Sequence, residues 1–166
     1  RIDIENFYSG VCGEEIFRDI YKKYETRLKE NRLIDFDDML SYTYELFKER
    51  SDILALWQNK YKYILIDEFQ DINRLQYEII KMLAAPQNNL FIVGDDDQSI
   101  YRFRGSKPEI MLGFEKDYPD AKRILLDTNY RCGRYIVEAS LNLISHNRER
   151  FDKKIIAASK SKAPVT

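Results

Sequence analysis

The first part of the chain has apolar residues at the spacing of amphipathic helices. Between Glu14 and Asn31 they recur at helical intervals with charged residues between them, which predicts one helix. The same period resumes after Asp35, a candidate N-cap, and a shorter helix is expected from a cap at Ser51 through Trp57. The chain is therefore predicted to open with helices.

A different pattern begins after residue 60, where short apolar runs alternate with helical segments. Three runs have the character of buried parallel strands, and each ends in an aspartate: 61–67, 89–95 and 121–127. Helical patterns separate and follow them: 73–85, 108–116 behind a capping box of Ser106 and Glu109, and 133–147. Strands that alternate with helices form right-handed βαβ units, so we expect an α/β fold with three parallel strands. The acidic strand ends then share the sheet edge at which ligands bind.

Composition and charge narrow the class of protein. The 166 residues carry a net charge of −1, which excludes a uniformly basic nucleic-acid-binding protein and restricts any such contact to a local patch. No apolar run approaches the roughly 18 to 20 residues that cross a bilayer, so we expect no membrane segment and a cytoplasmic protein. Cys12, Cys132 and His146 lack the spacing of a disulfide framework or a zinc site.

The first acidic strand end is Asp67-Glu68, in the segment ILIDEFQD. Adjacent carboxylates at this place can divide the work of phosphoryl transfer: one holds Mg²⁺, directly or through water, while the other orients or deprotonates the attacking water. This division of roles between two adjacent carboxylates is typical of a Walker B site. A simpler interpretation stays open, in which Asp67 caps the next helix and Glu68 is only solvated.

The next two strand ends carry candidate phosphate-binding groups. In GDDDQ, Gly94 permits close backbone approach and Gln98 offers its amide to a phosphate oxygen or water, although the segment can also be a polar turn. In DTNYR, Arg131 can neutralise charge on a transferred phosphoryl group or be an ordinary surface arginine. Because all three loops are expected at one sheet edge, a shared phosphate and metal site is favoured.

Aromatic and basic residues alternate directly after GDDDQ, in the segment YRFRGSK. In an extended chain, Tyr101 and Phe103 face one way and Arg102 and Arg104 the other. One side can then stack on bases while the other lies near phosphates. Alternating aromatics also pack into protein cores, and the pattern alone does not separate the two interpretations.

Four segments together resemble consecutive motifs of the UvrD/Rep-type superfamily 1 DNA helicases. They are LIDFDDML, YILIDEFQDIN, FIVGDDDQSIYRFRGS and FEKDYPDAKRILLDTNYR, and they follow the order and approximate spacing of that family. The resemblance covers about residues 15 to 155. It implies a partial P-loop NTPase (RecA-like) parallel sheet with flanking helices, preceded by a helical segment.

The resemblance implies a role for each residue of the expected ATP site. Asp67 resembles the aspartate that holds Mg²⁺, with Glu68 beside it as the catalytic base and the second member of the metal-binding pair. Gln98 matches the glutamine that senses the γ-phosphate and Arg131 a γ-phosphate arginine, which makes both of them catalytic and nucleotide-binding candidates. Tyr130 matches the tyrosine that stacks on adenine. ATP and Mg²⁺ are the implied cofactors.

The resemblance also implies a DNA partner. Tyr101, Phe103 and Arg104 match residues that contact single-stranded DNA. Binding to duplex/single-strand junctions, 3′-to-5′ translocation and a part in DNA repair follow from the same likeness. Phe103 stands where the family commonly has Trp, which reduces the stacking area. Ile72 and Cys132 replace a usual Thr and Ser without removing a group on which the chemistry depends.

One family motif is absent from the 166 residues. No GxxxxGK[ST] loop occurs, the phosphate cradle whose lysine binds the β- and γ-phosphates. We therefore expect an excerpt of a helicase, catalytically incomplete by itself and completed by the P-loop segment and second motor domain of the same polypeptide. Its expected parts are the end of a helical insertion subdomain, the later part of the first motor domain, and a tail toward the second: residues 1–32, 33–150 and 151–166.

Two other functions stay open on the residues alone. A Mg²⁺-dependent phosphotransfer or nuclease domain can be built on Asp67, Glu68 and the acidic triplet Asp95–Asp97. It needs no P-loop, but it leaves the glutamine, tyrosine and arginine candidates without roles. A non-catalytic interaction module would keep the same surface and bind a partner without dependence on nucleotide.

Overall fold

The computed structural model describes residues 10–99 and 107–159. It forms two compact units. The first comprises the described residues up to Ile64 together with Leu75–Asn89, and the second comprises Leu65–Arg74 with the described residues from Leu90 onward. Within these described ranges, no helix is long and apolar enough to cross a membrane.

Helices build the first unit. Their bounds are α1 Glu14–Glu30, α2 Phe36–Glu49, α3 Ser51–Lys60 and α4 Arg74–Ala84, the last of which starts at the unit boundary. The predicted helices after Glu14, after Asp35 and over 73–85 are therefore confirmed. Asp35 is the N-cap of α2, where its Oδ1 accepts the Asp38 N–H at 2.8 Å. The Asp38 carboxylate accepts the Asp35 N–H in return, which completes a capping box.

The predicted cap at Ser51 is wrong, because Arg50 occupies the position between α2 and α3. The Arg50 N–H donates to the Leu46 carbonyl at 2.8 Å, and the Arg50 carbonyl accepts the Leu54 N–H at 3.0 Å. One residue thus ends one helix and begins the next. Ser51 is consequently the first residue of α3, which continues past Trp57 to Lys60.

The buried side chains of the first unit come from α2 and α4. They are the apolar Phe47, Tyr77, Ile79 and Ala84, together with the capping residue Asp38. α3 is tied to α4 by the Gln58 side chain, whose Nε2 donates to the Met82 carbonyl at 2.8 Å. α1 buries none of its residues.

The second unit is organised around β1 (Ile64–Ile66) and β2 (Leu90–Ile92), which pair with each other. The Val93 N–H donates to the Ile66 carbonyl at 2.8 Å. One turn of 3₁₀ helix follows each strand, Phe69–Asp71 after β1 and Asp96–Gln98 after β2. The first two predicted strands are therefore confirmed, although each is shorter than its apolar run.

The third predicted strand, over 121–127, is wrong. Those residues have no regular secondary structure, and Ile124 and Leu126 are 78% and 81% exposed. The strand begins afterwards: β3 (Thr128–Gly133) pairs in parallel with β4 (Ile156–Ser159) in a separate two-stranded sheet. A strand forms where a backbone partner lies alongside it, and β4 meets the chain at Thr128 rather than within the apolar run.

The remaining helices pack in the second unit. The helix predicted over 108–116 is broken at Gly113 into α5 Pro108–Leu112 and α6 Phe114–Asp117. Phe114 meets the buried Phe69 edge-to-face, with ring centroids 5.6 Å apart. α7 (Arg134–Ile144) confirms the last predicted helix. Ser106, of the predicted capping box, lies outside the described residues. The mixture of helices and small parallel sheets is that of an α/β fold.

Candidate functional site

Asp67 and Glu68 lie directly after β1, as predicted, and both side chains are exposed. The Asp67 Oδ1 accepts the Glu68 N–H at 2.9 Å. Glu68 has a left-handed backbone conformation, with φ 51° and ψ 41°. A non-glycine residue in that region stores strain of about 1 to 3 kcal/mol, and such residues concentrate at functional sites. The sharp turn at Glu68 leads into the 3₁₀ turn that begins at Phe69.

A buried glutamine connects Glu68 to the loop after β2. Gln70 is 1% exposed. Its Nε2 donates to the Glu68 Oε2 at 2.7 Å, and its Oε1 accepts the Asp95 N–H at 3.0 Å. A Cβ on Gly94 would lie 2.6 Å from the same Oε1, so the glutamine fits only because position 94 is glycine.

Gln98 joins the same set of hydrogen bonds through Asp95. The Asp95 Oδ1 accepts the Asp97 N–H at 3.2 Å and caps the 3₁₀ turn, while its Oδ2 accepts from the Gln98 Nε2 at 2.9 Å. An unbroken path of side-chain and backbone hydrogen bonds therefore runs from Glu68 through Gln70 and Asp95 to Gln98. We call it the Glu68–Gln98 path.

The acidic triplet Asp95–Asp97 forms ion pairs with two cations from the segment after α7. Lys153 Nζ contacts all three carboxylates, at 2.6 Å from Asp95 and 2.9 Å from Asp97. Arg150 forms a two-pronged ion pair with Asp97, with Nε and the terminal nitrogen each 2.7 Å from an oxygen. The Asp96 carboxylate, which is buried, also accepts the Phe151 N–H at 2.8 Å. We call these residues the ionic anchor.

Contacts within the ionic anchor shift the pKa values of Asp95, Asp97 and Lys153 toward their charged forms. Burial raises the pKa of Asp95, but hydrogen bonds from Lys153 and Gln98 outweigh it and hold that pKa below its ordinary value. Burial also raises the pKa of Asp97. Hydrogen bonds from Arg150 and Lys153 outweigh burial and hold that pKa below its ordinary value. Burial lowers the pKa of Lys153, yet its carboxylate partners raise it above the ordinary value. The carboxylates of the anchor are consequently engaged by cations of the chain itself.

That engagement weighs against the nuclease or phosphotransfer alternative, which needs the acidic triplet as metal ligands. Lys153 and Arg150 already supply the positive charge beside these carboxylates and would repel a metal ion placed there. Among the described residues, no group of three or more His, Cys, Asp or Glu side chains is arranged to hold a metal ion. The triplet has a structural role in this unit.

Tyr130 and Arg131 lie within β3, so the predicted position of Arg131 in a strand-to-helix loop is wrong. The cause is the displaced third strand, because the chain is still extended at 131. The Asn129 Oδ1 accepts the backbone N–H groups of Arg131 and Cys132, at 3.0 and 2.8 Å. Both Tyr130 and Arg131 are exposed, Tyr130 to 82%. Within the described part of the chain, no hydrogen bond or ion pair joins the Arg131 side chain to the Glu68–Gln98 path.

The predicted DNA-contacting residues Tyr101, Phe103 and Arg104 lie outside the described residues. Their roles stay predictions.

Sequence reasoning missed the residues that support the site. Gln70 is inside the DEFQD motif, but nothing local shows that its amide reaches a backbone N–H 25 residues later. Arg150 and Lys153 stand 53 and 58 residues from their first carboxylate partners. The available signal was charge: three consecutive aspartates near a sheet need compensating cations, and RERFDKK is a cation-rich segment further along the chain.

Comparison with known proteins finds relatives that share most of this sequence region. One similar protein from Bacillus subtilis (strain 168) is named "Putative ATP-dependent DNA helicase YjcD"; it is 52% identical over 145 residues, 87% of this chain and 19% of that protein. The ATP-dependent DNA helicase PcrA of the same organism is 42% identical over 151 residues, 89% of this chain and 20% of PcrA. PcrA of Staphylococcus epidermidis (strain ATCC 35984 / RP62A) is 44% identical over 140 residues, 84% of this chain and 19% of that protein.

The chain spans about a fifth of the length of these curated relatives. The UvrD/REP helicase N-terminal domain matches residues 5–119, which contain both the DEFQD and the GDDDQ segments. With more than two thirds of the chain inside that match and relatives above 40% identity, the chain belongs to the UvrD/REP helicase family.

Proposed function

We propose that the whole protein is an ATP-dependent DNA helicase that moves 3′-to-5′ along single-stranded DNA and unwinds duplex/single-strand junctions. The observation that carries the proposal is the Glu68–Gln98 path. Its hydrogen bonds link the Glu68 carboxylate, after β1, to the Gln98 side-chain amide, after β2. Phosphoryl transfer depends mainly on such positioning. Family membership and the activity named for the PcrA relatives support the same assignment.

Asp67 and Glu68 fit the needs of a magnesium ion. Mg²⁺ prefers oxygen ligands and usually takes only one or two carboxylates, with phosphate and water oxygens as its other ligands. These two exposed carboxylates, at the end of β1, supply that donor set. The bound ion would neutralise phosphate charge.

Glu68 is the proposed general base. Its Oε2 is held by Gln70, which leaves the second oxygen for the water that attacks the γ-phosphate. The left-handed backbone at Glu68 sets the direction in which its side chain leaves the chain. Gln98 is proposed to sense the γ-phosphate. Arg131 is proposed to neutralise the charge that develops on this phosphate, and the exposed Tyr130 ring to stack on the adenine.

The proposed DNA contacts are Tyr101, Phe103 and Arg104. They begin three residues after Gln98 in sequence, so the proposed ATP-facing loop lies close along the chain to the proposed DNA-facing segment. Aromatic stacking on bases contributes about 1 to 3 kcal/mol per base, and arginine adds contact with phosphate. A short covalent connection of this kind is a direct route for coupling hydrolysis to movement. In the proposed layout, residues 33–150 are the later part of the first motor domain.

The 166 residues by themselves are proposed to hydrolyse no ATP. They contain no GxxxxGK[ST] sequence. The residues assigned to the ATP site are proposed to contact the nucleotide from one side only. Holding the γ-phosphate in line needs the phosphate cradle as well.

The test uses the full-length protein and the variant Glu68→Gln. Glutamine keeps the size of the side chain but cannot accept the proton, so DNA-stimulated ATP hydrolysis should fall by about 10²- to 10⁴-fold. Binding of a non-hydrolysable ATP analogue should be unchanged. Glu49→Gln, an exposed change in α2, is the matched control and should leave turnover intact.

Turnover that survives Glu68→Gln would contradict the proposed base. Polarity is tested with partial duplexes that carry a single-stranded tail at one end. Unwinding of 3′-tailed substrates alone supports the proposed direction, whereas unwinding of 5′-tailed substrates alone reverses it.

A further inference from the structure

The orientation of the Gln70 amide follows from its partners. A backbone N–H can only donate, so the end of Gln70 that faces Asp95 has to be the oxygen Oε1. The other end is then the NH₂ group, and it faces the Glu68 carboxylate at 2.7 Å. This assignment rests on hydrogen-bond chemistry, which is the accepted basis for placing amide nitrogen and oxygen. Gln70 therefore joins an acceptor and a donor that no charged side chain of its size can join.

Burial raises the free-energy cost of losing either of the two hydrogen bonds of the Gln70 amide. With the side chain 1% exposed, water cannot replace either partner readily, and an unpaired buried polar group costs about 1 to 3 kcal/mol. The Gln70 carbonyl is also held, since it accepts the Ser99 hydroxyl at 3.3 Å. The residue is thus fixed at both its backbone and its amide.

We propose that Gln70 is a positioning residue for ATP hydrolysis, which holds the Glu68 carboxylate in register with the Asp95–Gln98 turn. The inference rests on the proposed function, because it concerns the base assigned there. Glu68 is exposed and follows a strained backbone turn, so without Gln70 its carboxylate would rotate freely. Gln70 does not touch the reacting atoms and acts only through Glu68 and Asp95.

The two partners of Gln70 predict which side chains cannot replace it. Leucine has a similar size but leaves both the Asp95 N–H and the Glu68 carboxylate without their partner. Glutamate keeps an acceptor for Asp95 but places a second carboxylate beside Glu68. Asparagine is one methylene shorter and cannot span the same two groups.

The experiment measures steady-state ATP hydrolysis by the full-length protein with saturating single-stranded DNA. Gln70→Leu should lower kcat by about 10²-fold, the scale expected when a catalytic group is misplaced by about 1 Å, while the KM for ATP changes by less than about two-fold. Gln87→Leu, an exposed glutamine between α4 and β2, is the matched control and should leave both constants unchanged.

Gln70→Glu supplies a readout that a merely structural role would not change. Glutamate keeps an acceptor for the Asp95 N–H but loses the donor to Glu68. Its kcat should fall as in Gln70→Leu, while binding of a non-hydrolysable ATP analogue and amide hydrogen exchange of Asp95 stay unchanged. A wild-type kcat in Gln70→Glu overturns the proposal, and this variant decides the matter if Gln70→Leu does not fold.

The outcomes also separate this inference from the proposed function. If Glu68→Gln abolishes turnover while Gln70→Leu retains a wild-type kcat, the positioning role is wrong and the helicase assignment stands. If Glu68→Gln retains turnover, the assigned base is wrong, and the positioning role falls with it.

Discussion

The loops after β1 and β2 and the strand β3 all carry residues of one proposed ATP site, but they are held in different ways. Buried partners fix the two loops: Gln70 between them and Lys153, 8% exposed, beneath the acidic triplet. In β3 the candidate side chains Tyr130 and Arg131 are exposed, and only the backbone around them is held, by Asn129. The loops have a preformed geometry, whereas β3 offers a defined backbone with exposed side chains.

This difference has a physical origin. A general base must keep its geometry through the reaction, so a fixed position lowers the cost of reaching the transition state. A ring that stacks on a base and a guanidinium that meets a phosphate gain their contacts from the ligand itself. In the proposed site, rigid support is therefore concentrated at the residues whose assigned roles are most sensitive to distance.

The largest expected effect is from Lys153→Met. The change leaves three carboxylates close together without their shared cation, and removing one partner of a buried ion pair costs about 3 kcal/mol or more. Amide hydrogen exchange of residues 94–99 in the full-length protein measures this local free energy. Lys154→Met, at the exposed neighbouring position, is the control. Equal exchange in the two variants would show that the anchor does not hold the loop.

Gly94→Ala should destabilise the loops by about 2 kcal/mol, since a small-to-large change in a packed site usually costs 1 to 3 kcal/mol. The new Cβ would lie 2.6 Å from the Gln70 Oε1 and 3.2 Å from the Phe69 nitrogen. Both atoms are held by hydrogen bonds, to the Asp95 N–H and the Val93 carbonyl, that would have to be disturbed for them to move. Faster exchange of the Asp95 amide is the readout. Gly10→Ala, where a Cβ meets nothing within 4 Å, should leave exchange unchanged. A stable Gly94→Ala protein would contradict the described fit.

Asn129→Ala should cost about 1 kcal/mol, because it removes the acceptor for two backbone N–H groups at a partly exposed place where water can replace it. Exchange of the Arg131 and Cys132 amides should rise. Asn129→Asp keeps an acceptor oxygen and should restore their protection. A loss as large as that for Lys153→Met would remove the distinction between β3 and the loops.

The smallest effect is expected from pH between about 5 and 9. The lowered pKa values of Asp95 and Asp97 contribute stability that is present above the unfolded value near 4 and is lost as pH falls through the folded values. The raised pKa of Lys153 contributes stability that is present below about 10.4 and is lost as pH rises through its folded value. Loop protection should therefore be level between these limits. A step in protection near neutral pH would contradict charged forms of all three side chains across that range.

Local sequence information predicted much of this structure. The N-cap at Asp35, the helices after it and the acidic ends of β1 and β2 depend on residues within a few positions of one another. Those interactions form with little help from distant parts of the chain, so periodicity and capping residues reveal them.

Features that need a distant partner were not predictable in this way. The apolar run 121–127 indicated a strand, but the position of β3 depends on β4, whose Ile156 pairs with Thr128. The ionic anchor depends on cations more than 50 residues from the aspartates. A single sequence gives the polarity of such segments but not the pairing between them.

The ionic anchor also has a mechanical consequence. By fastening Arg150 to Asp97, it closes a loop of 53 residues that contains α5, α6, β3 and α7. Closing a loop reduces the number of conformations available to everything inside it, with a dependence on length that is only logarithmic. Because Arg150 and Lys153 follow α7 and precede β4, the ionic anchor connects the segment between these two elements directly to the turn that ends at Gln98.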